Sequence, residues 1–112
     1  GLVMDSYLLR ALAVAGWAPS FAECARCGEP GPHHAFSVGS GGAVCSRCRP
    51  PGSAAPAPET FTLLGALLGG DWATAEASEP RHRTEASGLV AAYSQYYLER
   101  TLRSLRMIER EA

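Results

Sequence analysis

Four cysteines carry the chemistry of this sequence, arranged as Cys24-Ala25-Arg26-Cys27 and Cys45-Ser46-Arg47-Cys48. No cysteine lies outside these two C-x-x-C units. The stretch between them falls within the spacing of a structural zinc site, C-x₂-C-x₁₅₋₂₀-C-x₂-C. Two residues between thiolates let one tight turn aim both sulfurs at a single ion. A second such turn, brought alongside by a hairpin, completes a tetrahedron of Cys24, Cys27, Cys45 and Cys48 around one Zn²⁺. Four thiolates leave no open position for water or substrate, so the expected metal builds structure and catalyses nothing.

Other readings of the cysteines stay open. Disulfides would suit a small secreted domain. A thioredoxin-type redox pair needs one C-x-x-C in a strand-helix-strand setting, and Cys₄ sites also hold iron or iron–sulfur clusters. The paired spacing favours zinc over all three. His33 and His34 lie between the pairs and could each replace a thiolate, but with four cysteines at hand they read as exposed loop residues.

The elements that position this site are mostly helical. Met4, Leu8, Leu12 and Ala15 form one stripe, widened by Leu9 and Ala11 with Arg10 opposite, and predict a first helix ended by Gly16. Trp17 and Pro19 follow in a connector, with Trp17 read as a packing residue. Gly28 serves the first knuckle turn. Ala35–Val38 and Ala43–Cys45 read as paired strands around the turn Gly39-Ser40-Gly41-Gly42, with Phe36 and Val44 expected beneath the metal.

Pro50–Pro58 reads as a linker. A second helix is expected over Glu59–Leu68, stopped by Gly69-Gly70, and a short turn near Trp72. The polar stretch Glu76–Thr84 predicts a loop. The last helix is expected over Glu85–Arg110. Leu89, Tyr93, Tyr96 and Met107 mark one apolar sector, and Leu98, Leu102 and Leu105 another almost opposite, which predicts a helix wedged among several neighbours. Its polar strip holds a Glu99–Arg103 pair at i, i+4. Arg103, Arg106 and Arg110 form a candidate contact for phosphate or an acidic tail, weighed against an ordinary solvated face.

The fold class is therefore mainly α: a small helical bundle with an inserted Cys₄ zinc-finger β-hairpin. It divides into a helix (1–21), the inserted finger (22–49) and a Pro-rich linker with the remaining helices (50–112). With 112 residues the core is modest, and a metal staple helps such a chain. The net charge of −1 gives no global basic field. Every basic residue is arginine, which genomic base composition can explain. No apolar run approaches the roughly 18 residues of a membrane span. With no signal-like start and helical periodicity running by Val3, the expectation is a cytoplasmic fragment that begins partway through a helical region. An enzyme is poorly supported: no phosphate-cradling glycine loop, nucleophile setting or carboxylate pair beside an open metal is visible.

Taken in series, Gly16-Trp17-Ala18-Pro19, Cys24-x-x-Cys27-Gly28, Phe36, Gly41-Gly42-Ala43-Val44-Cys45-x-x-Cys48, the Pro-rich linker, Tyr97-Leu98 and Leu102-Arg103-Ser104-Leu105 resemble the RecO family of bacterial recombination mediators. The resemblance covers nearly the whole chain but only the C-terminal half of a typical family member. It implies an N-terminal OB-fold followed by a helical domain carrying an inserted zinc finger. It also implies a non-catalytic protein that binds single- and double-stranded DNA and anneals complementary strands. The implied partners are RecR and the acidic tail of the single-stranded DNA-binding protein. Some relatives lack the cysteines, so the metal is implied to be structural. Nothing in this sequence can form the OB-fold, whose stacking aromatics and basic groove carry single-strand affinity. The rival expectation is a zinc-stapled interaction module of another assembly with no nucleic-acid role.

Overall fold

The computed structural model describes the backbone of residues 2–111 and the side chains of residues 2–103. Four helices and one hairpin follow in the order α1 (Leu2–Val14), β1 (Ala35–Ser37), β2 (Gly42–Val44), α2 (Pro58–Gly69), α3 (Trp72–Glu76) and α4 (Pro80–Glu111). The mainly α class with an inserted hairpin holds.

Helix α1 docks by a face different from the predicted stripe. Leu9 is buried, but so are Asp5 and Ser6, while Met4 and Ala11 are exposed. Polar groups decide the orientation, because each finds a partner across the interface. The Ser6 hydroxyl donates to the Leu67 carbonyl on α2 at 2.7 Å, and the Ser87 hydroxyl on α4 donates to the Asp5 carboxylate. A buried polar group with its hydrogen bond made is stable where an unpaired one is not. Val3, Tyr7 and Val14 therefore turn outward.

Helix α2 starts with Pro58 in the first turn, where its missing N–H has no partner to lose, and Gly70 ends it. Leu63, Leu64 and Leu67 are about 1 % exposed and form the core with Leu9, Ala75, Ala86 and Val90. At α3 the Asp71 carboxylate accepts from the Thr74 N–H at 3.2 Å and the Thr74 hydroxyl at 2.6 Å. These bonds, the hydroxyl foremost, favour the ionised form and lower the Asp71 pKa.

Residues 80–84, expected in a loop, are the first turn of α4. Pro80 suits a helix start, and Arg83 ties the corner: its Nε donates to the Ser78 hydroxyl at 2.9 Å and its Nη2 to the Glu76 carbonyl at 2.7 Å. That carbonyl belongs to the end of α3, where a cation is favoured. His82 is buried and lies 3.6 Å from the Glu59 carboxylate on α2.

Helix α4 has 32 residues, about 48 Å at 1.5 Å per residue. The long axis of the molecule is 50 Å. Ala86 and Val90 are buried in the core shared with α1 and α2, and Tyr93 is buried beside Phe36, whereas Leu98 and Leu102 are 59 % and 45 % exposed. The predicted wedging of the second apolar sector thus fails at both residues, because the helix outruns the bundle that covers its first half. Leu105 and Met107 lie outside the described side chains.

Candidate metal centre

The hairpin pairs Ala35 with Val44, Phe36 with Ala43 and Ser37 with Gly42. Strand alternation sends neighbouring side chains to opposite faces, and the two faces do different work. On one, Ala35 and Val44 pack with Cys24, Cys45 and Cys48 beneath the sulfurs. On the other, the Phe36 ring lies 6.3 Å from Phe21, 6.4 Å from Phe61 and 6.2 Å from Tyr93. Phe36 was expected under the metal. It is instead the joint between hairpin and helices, and Ala35 takes the metal side.

Both flanks extend the hairpin. Ser20 donates its N–H to the Gly41 carbonyl at 2.9 Å and accepts from Ala43 N–H at 2.8 Å. A Cβ on Gly42 would lie 2.2 Å from the Ser20 carbonyl oxygen, and its φ is +136°. Only glycine fits there. On the opposite edge Phe36 and Ala54 exchange two 2.9 Å backbone bonds, so the Pro-rich stretch read as a linker is partly a strand neighbour.

Each C-x-x-C closes a turn. The Gly28 N–H donates to the Cys24 carbonyl at 2.9 Å, with Gly28 at φ +78°, and the Cys48 N–H donates to the Cys45 carbonyl at 3.2 Å. The four Sγ atoms all lie within 4.8 Å of one another, and Cys27 and Cys45 sulfurs are 3.7 Å apart. A zinc tetrahedron with bonds of about 2.3 Å has edges of about 3.8 Å. The residues present fit such an ion. His33 and His34 stay outside the cluster, and the His33 Nε2 meets the Glu29 carbonyl at 2.7 Å.

The electrostatics of the thiols point the same way. Burial alone would raise Cys24, yet backbone hydrogen bonds at Cys45, Cys27 and Arg26 overcome it and bring the thiol down to about 6. Cys45 is lowered too, first by the backbone at Cys48. Cys48 is pushed up to about 12 by the adjacent Cys45 and Cys27 sulfurs. At Cys27 the Glu29 backbone favours the thiolate, but Cys24, burial and Cys45 outweigh it and the thiol is raised. Sulfurs this close cannot all ionise unaided, and a cation among them removes the conflict.

The arginine strip is only partly described. Arg103 is exposed on α4, while Arg106 and Arg110 lie outside the described side chains. The expected Glu99–Arg103 pair is not formed: among the described residues the ion pairs within 4.0 Å are others, and Glu99 accepts from Gln95 at 3.4 Å.

Residues 2–106 match the family described as "Recombination protein O C terminal". The chain belongs to this family. It is 62 % identical over 109 residues to the DNA repair protein RecO of Streptomyces coelicolor, a match covering 97 % of this chain and 44 % of that one. The RecO of Thermobifida fusca is equally similar, at 62 % over the same length with 45 % of its chain covered, and that of Streptomyces griseus is 59 % identical. The chain thus spans less than half the length of these relatives. No solved structure matches it significantly. No described helix is long and apolar enough to cross a membrane.

Proposed function

We propose that this chain is the C-terminal, helical and zinc-bearing part of a RecO-type recombination mediator, acting without catalysis in DNA repair. The observation that carries the reading is the match of residues 2–106 to the family together with identities near 60 % to proteins named for DNA repair. The sulfur cluster supports Zn²⁺ as a single structural ion held by Cys24, Cys27, Cys45 and Cys48. With all four positions filled by thiolates, the ion clamps the two knuckles together and offers no site to a substrate. The units 1–21, 22–49 and 50–112 serve one purpose: the helices hold the finger at a fixed corner through Phe36 and Tyr93.

In this reading the working protein is cytoplasmic, binds and anneals DNA, and contacts RecR and the single-stranded DNA-binding protein. Much of the single-strand affinity belongs to the portion of the relatives that this chain does not span. The test is a chimera in which this chain replaces the corresponding C-terminal part of the Streptomyces coelicolor relative. Annealing of complementary oligonucleotides at the rate of the unaltered relative, with one zinc per chain, is expected. A folded, zinc-loaded chimera that binds no DNA and anneals nothing overturns the reading.

A further inference from the structure

Four flat groups line up at the corner where the hairpin turn meets α4. The Trp17 and Tyr97 ring centroids are 5.2 Å apart. Tyr96 stands nearly edge-on to Tyr97 at 5.1 Å and 75°. The Arg100 guanidinium lies 5.8 Å from the Tyr96 ring centre, and its Nη1 donates to the Tyr96 hydroxyl at 3.3 Å. Core packing accounts for Tyr93, which is 2 % exposed and 4.5 Å from Tyr97. The other members of the group continue outward from Tyr93 and are less covered. Trp17, Tyr96 and Tyr97 are half-buried and Arg100 is exposed.

The glycine turn is fitted to this row. A Cβ on Gly39 would come within 3.7 Å of the Tyr96 hydroxyl oxygen, and one on Gly41 within 3.8 Å of both the Tyr97 hydroxyl oxygen and the Ala25 Cβ. The first metal knuckle is thereby set beside the tyrosines, with exposed Arg26 following Ala25. On α4, Tyr96, Arg100 and Arg103 recur at four- and three-residue steps and share one face. Arg26, Arg100 and Arg103 make no ion pair within 4.0 Å among the described residues. The neighbouring carboxylate of Glu99 is on the flank of that face and bonded to Gln95.

We propose that Trp17, Tyr97, Tyr96 and Arg100 form a stacking surface for single-stranded nucleic acid, flanked by Arg26 and Arg103 as phosphate contacts. The inference rests on the nucleic-acid reading above and deepens it by assigning this chain a share of single-strand binding. Rings and guanidinium planes bind any unpaired base by its face, and a duplex keeps those faces covered. Arginines beside them that make no ion pair among the described residues supply the charge a phosphate chain needs. An acidic peptide would use the arginines but leave the rings idle.

The experiment uses the zinc-loaded chain in a Trp72→Phe background, which leaves Trp17 as the one tryptophan. A short labelled oligothymidylate at low salt is titrated by anisotropy while Trp17 emission is recorded. Binding with quenching of Trp17 is expected, weaker binding to a duplex, and about a tenfold loss of affinity in Tyr96→Leu. Arg100→Gln, at an exposed position, is the second variant and is expected to lose several-fold. Zinc content and melting temperature should hold in both. Equal affinity in parent and both variants overturns the surface, as does a parent chain that binds no oligothymidylate. Binding of an acidic peptide that depends on Arg100 but is indifferent to Tyr96 overturns it in favour of a protein partner. In all three cases the chimera's annealing still judges the wider reading separately.

Discussion

The Tyr93 hydroxyl donates to the Trp17 main-chain carbonyl at 2.8 Å, across 76 residues of sequence. This bond fixes the connector between α1 and the metal module to the middle of α4. Burial, reinforced by the neighbouring Tyr97, raises the Tyr93 pKa, so the phenol stays a donor throughout the ordinary pH range. Replacing Tyr93 with Phe keeps the ring contact with Phe36 but strands the carbonyl. Unfolding of the zinc-loaded chain in denaturant should show a loss of about 1 kcal/mol. An unchanged midpoint would mean that water or a shifted backbone replaces the bond.

The Glu85 carboxylate on α4 accepts from the Ala57 N–H at 2.9 Å and the Thr60 hydroxyl at 2.5 Å, holding the start of α2. The Thr60 hydroxyl first, then the Ala57 N–H, lower its pKa below the ordinary 4.5, with nearby His82 adding to the effect. A depressed carboxylate contributes stability that is present above about pH 4.5 and lost as pH falls through the lower folded value. Glu85 is itself an exposed residue, so the contribution is about 1 kcal/mol or less after screening by solvent. Glu85→Gln should therefore melt lower at neutral pH and lose less than the parent below pH 4.5. Parallel acid curves for the two proteins would contradict this role.

At Gly42 the backbone leaves no room, with the Ser20 carbonyl oxygen 2.2 Å from a would-be Cβ. Gly42→Ala must push apart the Ser20 and Ala43 segments that position both knuckles. A cost of about 1–3 kcal/mol from the strained φ alone is expected, with the clash adding to it. Competition of the variant against a colorimetric zinc chelator reads the effect: zinc should leave it at a lower chelator concentration than the parent requires.

Most of the metal site could be read in the sequence, because a knuckle is local. Two residues between cysteines, a glycine after the first pair and a glycine-rich turn determine it within a few bonds. What escaped is long-range. Asp5 and Ser6 look like a polar interruption of an apolar stripe until Ser87 and the Leu67 carbonyl appear opposite them. Pro80–Thr84 looks like a loop because the feature that orders it, the bonding of Arg83 to the end of α3, depends on the turn between the helices. Leu98 and Leu102 suggest a buried sector, since periodicity shows which residues share a face but not how far the covering bundle extends. Phe36 reads as the residue beneath the metal, where the structure has Ala35, for a related reason: alternation identifies the strand, but which face meets the metal depends on the register with Val44.

Removing the metal should melt the hairpin and spare much of the helix. Finger peptides draw about 10–16 kcal/mol from zinc and are unfolded without it, and among the described residues the cluster around Val44 beneath these sulfurs is small. The helical core of Leu9, Leu63, Leu64, Leu67 and Val90 is separate from it. A chelator should abolish dispersion of the Val44 and Ala35 resonances while far-ultraviolet helical signal largely persists. Collapse of nearly all helical signal would show that Phe36 couples the two parts into one folding unit.

The arginines late in α4 give the last prediction. Arg103 is exposed without an ion pair among the described residues, and Arg106 and Arg110 follow it in sequence at helical spacing. If these charges meet phosphates, each releases about one counterion on binding. Arg103→Glu or Arg106→Glu in the chimera should weaken DNA binding and reduce the slope of log affinity against log salt by about one. At Arg103 the melting temperature should scarcely move, since an exposed helix charge is worth tenths of a kcal/mol. A strip that serves the helix alone predicts the opposite pair of results: a lower melting temperature with no change in salt slope. Recording both quantities on each purified variant decides between them, and a constant affinity across salt sinks the phosphate role.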